Sequence, residues 1–377
     1  LIAGIVSIVI GDNETGLFVK IFLGFFSSVM FYRYVLQMYK FNVTELFGYY
    51  MKGCMVVSII GIIQVLSFRI GFSPGYDYSW LLNKWGITYG GFGIRMNSVF
   101  SEPAYFAAVV APGFFLAIRN ISSGNFQLIT KTQSVIVAGA YFLTFSSLGI
   151  FGIFLGILLL LLNLGFFRYA IIFVPIFYGS FYYAYNEIDD FRERFDGTAQ
   201  IFFEDDVDSY DIHGSSFVLY NNYIIATENF KRNPWFGTGL GSHSVAFDRY
   251  SLTNQSDVIQ INFNKADANS MFLRLMSETG IFGMAFMIIF LARNLVVKRR
   301  SANDLNWVMS NGLFLIIFLY LARQGHYFLN GFPFFLWCYY YLRMQNQRQL
   351  NEIAALKESY NFGLKPEEGS NSNAVLT

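Results

Sequence analysis

The sequence is poor in charge and in the residues that build most soluble active sites. Of 377 residues only 14% are charged, the net charge is +1, and there are two cysteines and three histidines. A nearly neutral chain offers no broad basic surface, so nucleic acid is not an expected partner. Cys54 and Cys338 lie in or beside apolar runs and provide neither a disulfide framework nor a metal site.

Short motifs of soluble catalysis are absent as well. The chain has no P-loop, no HExxH and no CxxC. The glycine-rich run GTGLGS at 237–242 lacks a lysine and a preceding strand, so we interpret it as a closely packing turn. The acidic run at 204–208 is interpreted as a solvated loop in preference to a divalent-cation site. We therefore expect no metal and no cofactor.

Long apolar segments dominate instead. Hydrophobic residues make up 54% of the chain, and its mean hydropathy is +0.42. The run LGIFGIFLGILLLLLNLGF at 148–166 has no charge and is long enough to cross a bilayer. The sequence predicts an all-α polytopic membrane protein with about ten transmembrane helices. The predicted segments are 1–10, 17–38, 51–68, 101–118, 134–146, 148–166, 169–185, 271–295, 307–322 and 332–343. The first is short and has no initiator Met, so we expect the N-terminus to be truncated.

Lysine and arginine in the short loops predict the orientation of the chain. They are sparse at one set of helix ends, which we assign to the periplasm: Lys20, Arg69, Lys84, Arg95 and Arg323. They are denser at the other set, which we assign to the cytoplasm. The predicted organisation is N-terminal transmembrane helices over 1–185, a large periplasmic loop over 186–268, C-terminal transmembrane helices over 269–344, and a cytoplasmic tail over 345–377. In the large loop, 217–231 is predicted to be an amphipathic helix on the membrane surface, and the tail is expected to be first helical and then disordered.

Ionisable residues at the periplasmic helix ends are the candidate functional groups, because charge near lipid is costly unless it is paired or serves a polar cavity. Arg95 precedes a helix that Glu102 and Pro103 begin. Glu102 has two interpretations: an acid that complements the helix dipole, and a general base whose pKa is raised in a partly dry cleft.

The second candidate is the polar start of DANSMFLRLMSETGIFGM at 267–284. Asp267 or Asn269 is expected to cap the helix. Arg274 and Glu278 share one face, and they either pair with each other or place Arg274 in a substrate cavity.

The third candidate is the outer end of 307–322, and the fourth is in the large loop. Arg323 is suited to binding phosphate, and His326 to transferring a proton near neutral pH. Both also fit a structural role at the interface. In the loop, His243, Arg249 and Lys265 are each interpreted first as solvated or hydrogen-bonded residues.

Several cations thus belong to one side of the membrane: Arg95, Arg274 and Arg323, with Arg249 or Lys265. Such a group suits an anionic substrate whose other end is lipid. A polyprenyl-linked pyrophosphate fits this description, and its departure can be assisted by cationic side chains without a metal.

The order of these features resembles that of the O-antigen polymerase and O-antigen ligase superfamily of bacterial inner-membrane glycosyltransferases. The resemblance covers roughly 90–345. Its motifs are Arg-x6-Glu-Pro (Arg95, Glu102, Pro103), a helix pair broken at LTFSSLG (143–149), Asn-Pro-x-Phe-Gly-x-Gly-Leu-Gly-Ser (233–242), and Asn-Ser-x-x-Leu-x-x-x-x-Glu-x-Gly-x-x-Gly (269–283). Ligases typically carry His-Asn where this chain has Asn269-Ser270, and Ser147 stands where many members have Arg. The missing histidine favours polymerase over ligase.

The resemblance implies a multi-pass protein of the bacterial inner membrane that polymerises undecaprenyl-pyrophosphate-linked oligosaccharide repeats into O-antigen, capsular or exopolysaccharide. Glu102 or His326 would be the base, and the cations would stabilise the departing pyrophosphate. Its partners would be the lipid-linked repeat, membrane lipid and a chain-length regulator protein. The alternatives are a ligase that transfers polysaccharide to lipid A–core and a lipid-linked sugar transporter or flippase.

Overall fold

The computed structural model describes residues 2–83, 85–90, 93–165, 170–187, 214–254, 264–328 and 331–361, together with 192, 195, 196 and 199. Within these residues the fold is all-α apart from one hairpin that pairs Tyr89–Gly90 with Gly93–Ile94. The described α-helices are α1 (Ile2–Val9), α2 (Thr15–Met38), α3 (Val43–Arg69), α4 (Ser73–Tyr76), α5 (Pro103–Ser123), α6 (Lys131–Phe142), α7 (Ser147–Leu164), α8 (Ala170–Glu187), α9 (Gly214–Arg232), α10 (His243–Tyr250), α11 (Met271–Asn294), α12 (Asp304–Arg323) and α13 (Phe332–Asn361).

Six of these helices are long and apolar enough to cross a bilayer: α2, α3, α5, α7, α11 and α12. The predicted class, an all-α polytopic membrane protein, is confirmed. Helix α6 covers Lys131–Phe142 instead of the predicted 134–146, and its 12 residues rise only about 18 Å, less than the thickness of a bilayer core. It ends before Phe145, which has a φ of 43°. Ser146 then caps α7 by accepting from the Gly149 amide, so the expected break in LTFSSLG is present.

Helices α5 and α12 form the centre of the bundle. They are the two most enclosed of the six spans, and Phe114, Phe115 and Trp307 are fully buried between their neighbours. The helices approach closely where Gly312 faces Pro112, since a Cβ atom on Gly312 would come within 3.2 Å of the proline Cα. This packing brings the start of α5 and the end of α12 to the same end of the bundle.

Polar contacts close the opposite end, which the sequence assigns to the cytoplasm. Arg119 at the end of α5 forms an ion pair with Asp304 at the start of α12. Asn346 of α13 donates to the Arg300 carbonyl at 2.9 Å. These contacts bring together residues that the charge pattern assigns to one side of the membrane.

Two predictions outside the membrane segments have different outcomes. Helix α9 confirms the helix predicted at 217–231, but it packs on α10 and α11 and buries Asn221, Asn222 and Asn229. A buried row of amides is not the lipid-facing side of an interfacial helix. Helix α13 continues to Asn361, as expected for the first part of the tail. The predicted disorder beyond it and the acidic run at 204–208 lie outside the described residues.

Candidate functional site

The turn before α11 is organised by Asp267. Its Oδ1 accepts from Asn264 Nδ2 at 2.8 Å and from the Asn269 amide at 3.1 Å. Ala268 and Asn269 have φ values of 56° and 54°, so the helix begins only after them. Ser270 is the cap, accepting from the Leu273 amide at 3.3 Å. The expectation that Asp267 or Asn269 caps α11 is therefore wrong, because two left-handed residues separate the carboxylate from the helix.

Asp267 also contacts His326, which follows α12. Asp267 Oδ2 lies 3.0 Å from His326 Nε2, and the two side chains are 18% and 34% exposed. Burial raises the pKa of Asp267, but the hydrogen bonds from His326 and Asn264 outweigh it, and the pKa lies below the usual value. In the neutral ring, an ionised carboxylate at Nε2 holds the proton on that nitrogen, so Nδ1 is the position that can accept a proton. The pair has the arrangement of a general base and the group that orients it.

This pair lines a polar cleft of about 550 Å³. The lining residues are Glu14, Leu17, Ser244, Asp248, Asn264, Lys265, Ala266, Asp267 and His326. Lys265 is in the cleft, but its Nζ lies 2.5 Å from Asp248 Oδ1. The lining therefore offers three carboxylates and one amide, which suit hydroxyl ligands better than phosphate.

Arg323, Glu102 and Tyr105 form a second group beside the Asp267–His326 pair. Arg323 is half-buried and interacts electrostatically with Glu102 and Tyr105. Tyr105 interacts in turn with Asp267, which places this group next to the pair. Pro103 is the first residue of α5, as predicted, and Glu102 is exposed. An exposed carboxylate is not enclosed in the partly dry cleft that the general-base interpretation of Glu102 assumed.

Arg274 and Glu278 lie behind the loop that carries His326. Arg274 Nε is 2.9 Å from Glu278 Oε1, and the two side chains are at most 2% exposed. Arg274 Nη1 donates to the Gly325 carbonyl at 2.7 Å, and its Cζ is 4.6 Å from the Tyr327 ring centroid. Of the two interpretations left open, pairing is the one observed. The guanidinium supports the residues on either side of His326 and is not part of the cleft lining.

Helix α11 is broken at Gly280, which has φ 62° and ψ −158°. The plug, which we define as residues 233–242 (NPWFGTGLGS), bonds to the groups that the break exposes. The plug donates two hydrogen bonds to α11, from the Thr238 amide to the Ser277 carbonyl (3.2 Å) and from the Gly239 amide to the Glu278 carbonyl (2.9 Å). Helix α11 donates two to the plug, from the Ile281 amide to the Pro234 carbonyl (2.8 Å) and from the Phe282 amide to the Trp235 carbonyl (3.2 Å). Backbone amides and carbonyls that a helix break exposes near lipid are stable only when other protein groups form hydrogen bonds with them. The sequence did not predict this break.

Arg249 lies in a separate ion-pair group. Its Nη1 is 2.7 Å from Asp12 Oδ1, and Arg232 Nη2 is 3.0 Å from the same oxygen. The Asp12 side chain is only 1% exposed. These contacts join the loop after α1 to α9 and α10. The Asp12 partner was not anticipated, although an acid next to a glycine between two apolar helices is a visible signal.

His243 also does not line the polar cleft and forms its hydrogen bonds elsewhere. It is fully buried, and its Nε2 lies 3.0 Å from Asn222 Oδ1. Its amide contacts Glu278 Oε1 at 3.4 Å. Burial, aided by the charge of Arg274, lowers the pKa of His243 to about 3. The ring is therefore neutral at physiological pH, and its hydrogen bond to Asn222 joins the start of α10 to α9.

Arg95 belongs to a segment that α3 holds in place. Gln64 Oε1 accepts from the amides of Asn97 and Ser98 at 3.2 and 2.9 Å. The Met96 amide donates to the Leu143 carbonyl at 3.0 Å. Arg95 itself is half-buried and does not line the described cleft. Gln64 was missed, although a glutamine within an apolar helix is the kind of residue that marks such a contact.

Comparison of the sequence with models of known protein families finds no match, and comparison with curated proteins finds no similar sequence. The Asp267–His326 pair, the polar cleft and the neighbouring Arg323 group must therefore be interpreted by their own chemistry.

Proposed function

We propose that the protein is a membrane glycosyltransferase that polymerises undecaprenyl-pyrophosphate-linked oligosaccharide repeats at the periplasmic face of a bacterial inner membrane. The observation that carries the proposal is the Asp267–His326 pair, which opens into a polar cleft of about 550 Å³ at one end of a membrane bundle. A base and its orienting acid beside room for a sugar are the parts that transfer to a hydroxyl requires.

The polar cleft receives the acceptor sugar. Its carboxylates and the Asn264 amide suit sugar hydroxyls, and their charge disfavours a phosphate. His326 Nδ1 takes the proton of the acceptor hydroxyl, while Asp267 holds the opposite ring nitrogen. His326 is a better candidate than Glu102, because Glu102 is exposed and is associated with Arg323.

The donor pyrophosphate lies on the Arg323 side of the pair. As the acceptor oxygen bonds to the anomeric carbon, the bond from that carbon to the pyrophosphate oxygen breaks. The electron pair leaves with the polyprenyl pyrophosphate, and Arg323 stabilises its charge. Arg274 contributes by holding Gly325, next to the base.

The test is transfer by the purified protein in nanodiscs, supplied with a synthetic prenyl-pyrophosphate oligosaccharide. We expect lengthened products from the wild type, and a loss of about 10²–10⁴-fold for His326→Ala and Asp267→Asn. Lys231→Ala changes an exposed ion pair and is the matched control. A wild-type protein that moves the lipid-linked repeat across liposomes without lengthening it would contradict the proposal.

A ligase is distinguished from a polymerase by complementation. A null strain left with single repeats on the lipid core supports polymerase, whereas loss of all core-attached polymer supports ligase. The transporter alternative has less support, because discontinuous helices of transporters present their broken ends to substrate or ion. At Gly280 those ends bond to the plug.

A further inference from the structure

A second cavity lies between α9, α11 and α12, apart from the polar cleft. It encloses about 530 Å³, within the range of roughly 300–1,000 Å³ typical of ligand pockets. Its lining residues are Leu219, Tyr223, Ser270, Phe272, Leu273, Leu275, Met284, Met287, Ile288, Leu291, Phe318, Leu321 and Ala322. Apart from Tyr223 and Ser270 these side chains are apolar.

Water is a poor occupant of this apolar cavity. The Ser270 hydroxyl is already engaged, since it donates to the Leu321 carbonyl at 3.0 Å and accepts from the Leu273 amide at 3.3 Å. A buried water needs two to four polar partners. Hydrocarbon is therefore the occupant that the lining favours.

The apolar cavity is open toward the bilayer. Two of its walls belong to α11 and α12, both candidate membrane spans. Phe272 and Ile288 line it and are 45% and 59% exposed, so one side faces the surroundings of α11. In a membrane those surroundings are lipid tails, and a chain can enter from the side.

One end of the apolar cavity adjoins the candidate site. Ser270 is three residues beyond Asp267, and Ala322 immediately precedes Arg323. Arg323 interacts electrostatically with Glu102 and Tyr105, and Tyr105 with Asp267. A molecule that occupies both the apolar cavity and the space beside Arg323 has a hydrocarbon chain between α9 and α11 and an anionic head beside Arg323.

We propose that the apolar cavity holds the isoprenoid chain of the lipid-linked donor and thereby places its pyrophosphate beside Arg323. The proposal rests on the proposed function, and it adds a site for the lipid portion of the donor. It predicts a preference for a long-chain donor and assigns that preference to residues of α11 and α12 that take no part in proton transfer.

The test compares two donors that carry the same oligosaccharide pyrophosphate, one on a short prenyl chain and one on a long polyprenyl chain. Met287→Trp fills the apolar cavity, and Phe286→Trp is the matched control because Phe286 does not line it and is 70% exposed. We expect Met287→Trp to raise the KM for the long-chain donor about tenfold, a difference of about 1.4 kcal/mol. The kcat with the short-chain donor should not change. Retention of the wild-type chain-length preference by a folded Met287→Trp protein would overturn the cavity assignment.

A binding measurement separates this proposal from the proposed function. Unreactive polyprenyl pyrophosphate should raise the Tm of the wild type and Phe286→Trp, but not that of Met287→Trp. Ala322→Leu fills the cavity from α12 and replaces Met287→Trp if the latter fails to fold. Stabilisation without any transfer refutes the enzyme while keeping the cavity. No stabilisation of the wild type, or equal stabilisation by phospholipid alone, overturns the cavity proposal.

Discussion

Gly325 lies so close to the backbone of Asp267 that a Cβ atom on Gly325 would overlap the Asp267 carbonyl oxygen. The contact joins the turn before α11 to the loop after α12, and these two segments carry the Asp267–His326 pair. Since only glycine fits, residue 325 allows the two segments to come close enough for the carboxylate and the imidazole ring to meet.

Gly325→Ala is therefore expected to separate His326 from Asp267. Any shift that relieves the overlap moves the neighbouring imidazole, and general-base catalysis depends on that geometry. We expect a loss of transfer of about 10²-fold or more, measured with the lipid-linked donor in nanodiscs. Gly53→Ala is the control, because no atom lies within 4 Å of its Cβ position. Equal rates in the two variants would show that the contact does not position the base.

Glu278→Gln tests the buried pair with Arg274. Removing one charge leaves the other uncompensated, and such changes destabilise by about 3–5 kcal/mol. Thermal unfolding in detergent should show a large fall in Tm. The double variant Arg274→Met with Glu278→Leu should recover much of it, because no buried charge remains. A small effect of Glu278→Gln would mean that the guanidinium is satisfied by Gly325 and Tyr327 alone.

Gly280→Ala tests the break in α11. Its φ of 62° and ψ of −158° fall where side chains are strained, and its Cβ would lie 2.6 Å from the Pro234 carbonyl oxygen. We expect a destabilisation of about 1–3 kcal/mol. Gly139→Ala, in α6 with no atom within 4 Å of the added carbon, should be neutral or stabilising. A rise in Tm for Gly280→Ala would indicate that α11 is continuous in solution.

His243→Asn tests the effect of the buried ring on pH-dependent stability. The His243 pKa is lowered to about 3 in the folded protein, against about 6.5 in an unfolded chain. Between these values the unfolded chain binds more protons, so stability falls as the pH decreases through this window. The slope from this one group is at most about 1.4 kcal/mol per pH unit.

Removal of the titrating ring should reduce that slope in His243→Asn relative to the wild type. The free energy of unfolding, measured at several pH values between about 4 and 6.5, gives this slope. The nearby groups Asp267, Arg274 and Glu278 stay in both proteins, so the difference reports His243. Identical slopes would show that the ring binds protons equally in the folded and the unfolded protein.

Much of the fold and the members of the site were accessible from the sequence, but their pairing was not. Apolar length predicted the spans from α2 to α12, and Asp267 and His326 were both identified as candidates. Nothing in their spacing predicted that they touch, because they lie on different segments brought together by the packing of α5, α11 and α12. Arg249 and Arg274 looked like cavity cations, and their partners Asp12 and Gly325 are visible only in three dimensions.

The sequence by itself determined which segments are apolar enough to enter a bilayer and which helix ends carry charge, since hydropathy and loop lysine and arginine act locally along the chain. The tertiary structure decided whether each charged residue lies in a cleft, in a buried ion pair within one helix, or in an ion pair that joins two segments. That outcome depends on distant partners: Asp267 faces the polar cleft because His326 meets it there, and Arg274 is withdrawn because Glu278 and Gly325 bind it. The polar start of 267–284 is thus divided between the carboxylate that contacts His326 in the turn and a buried ion pair in the helix.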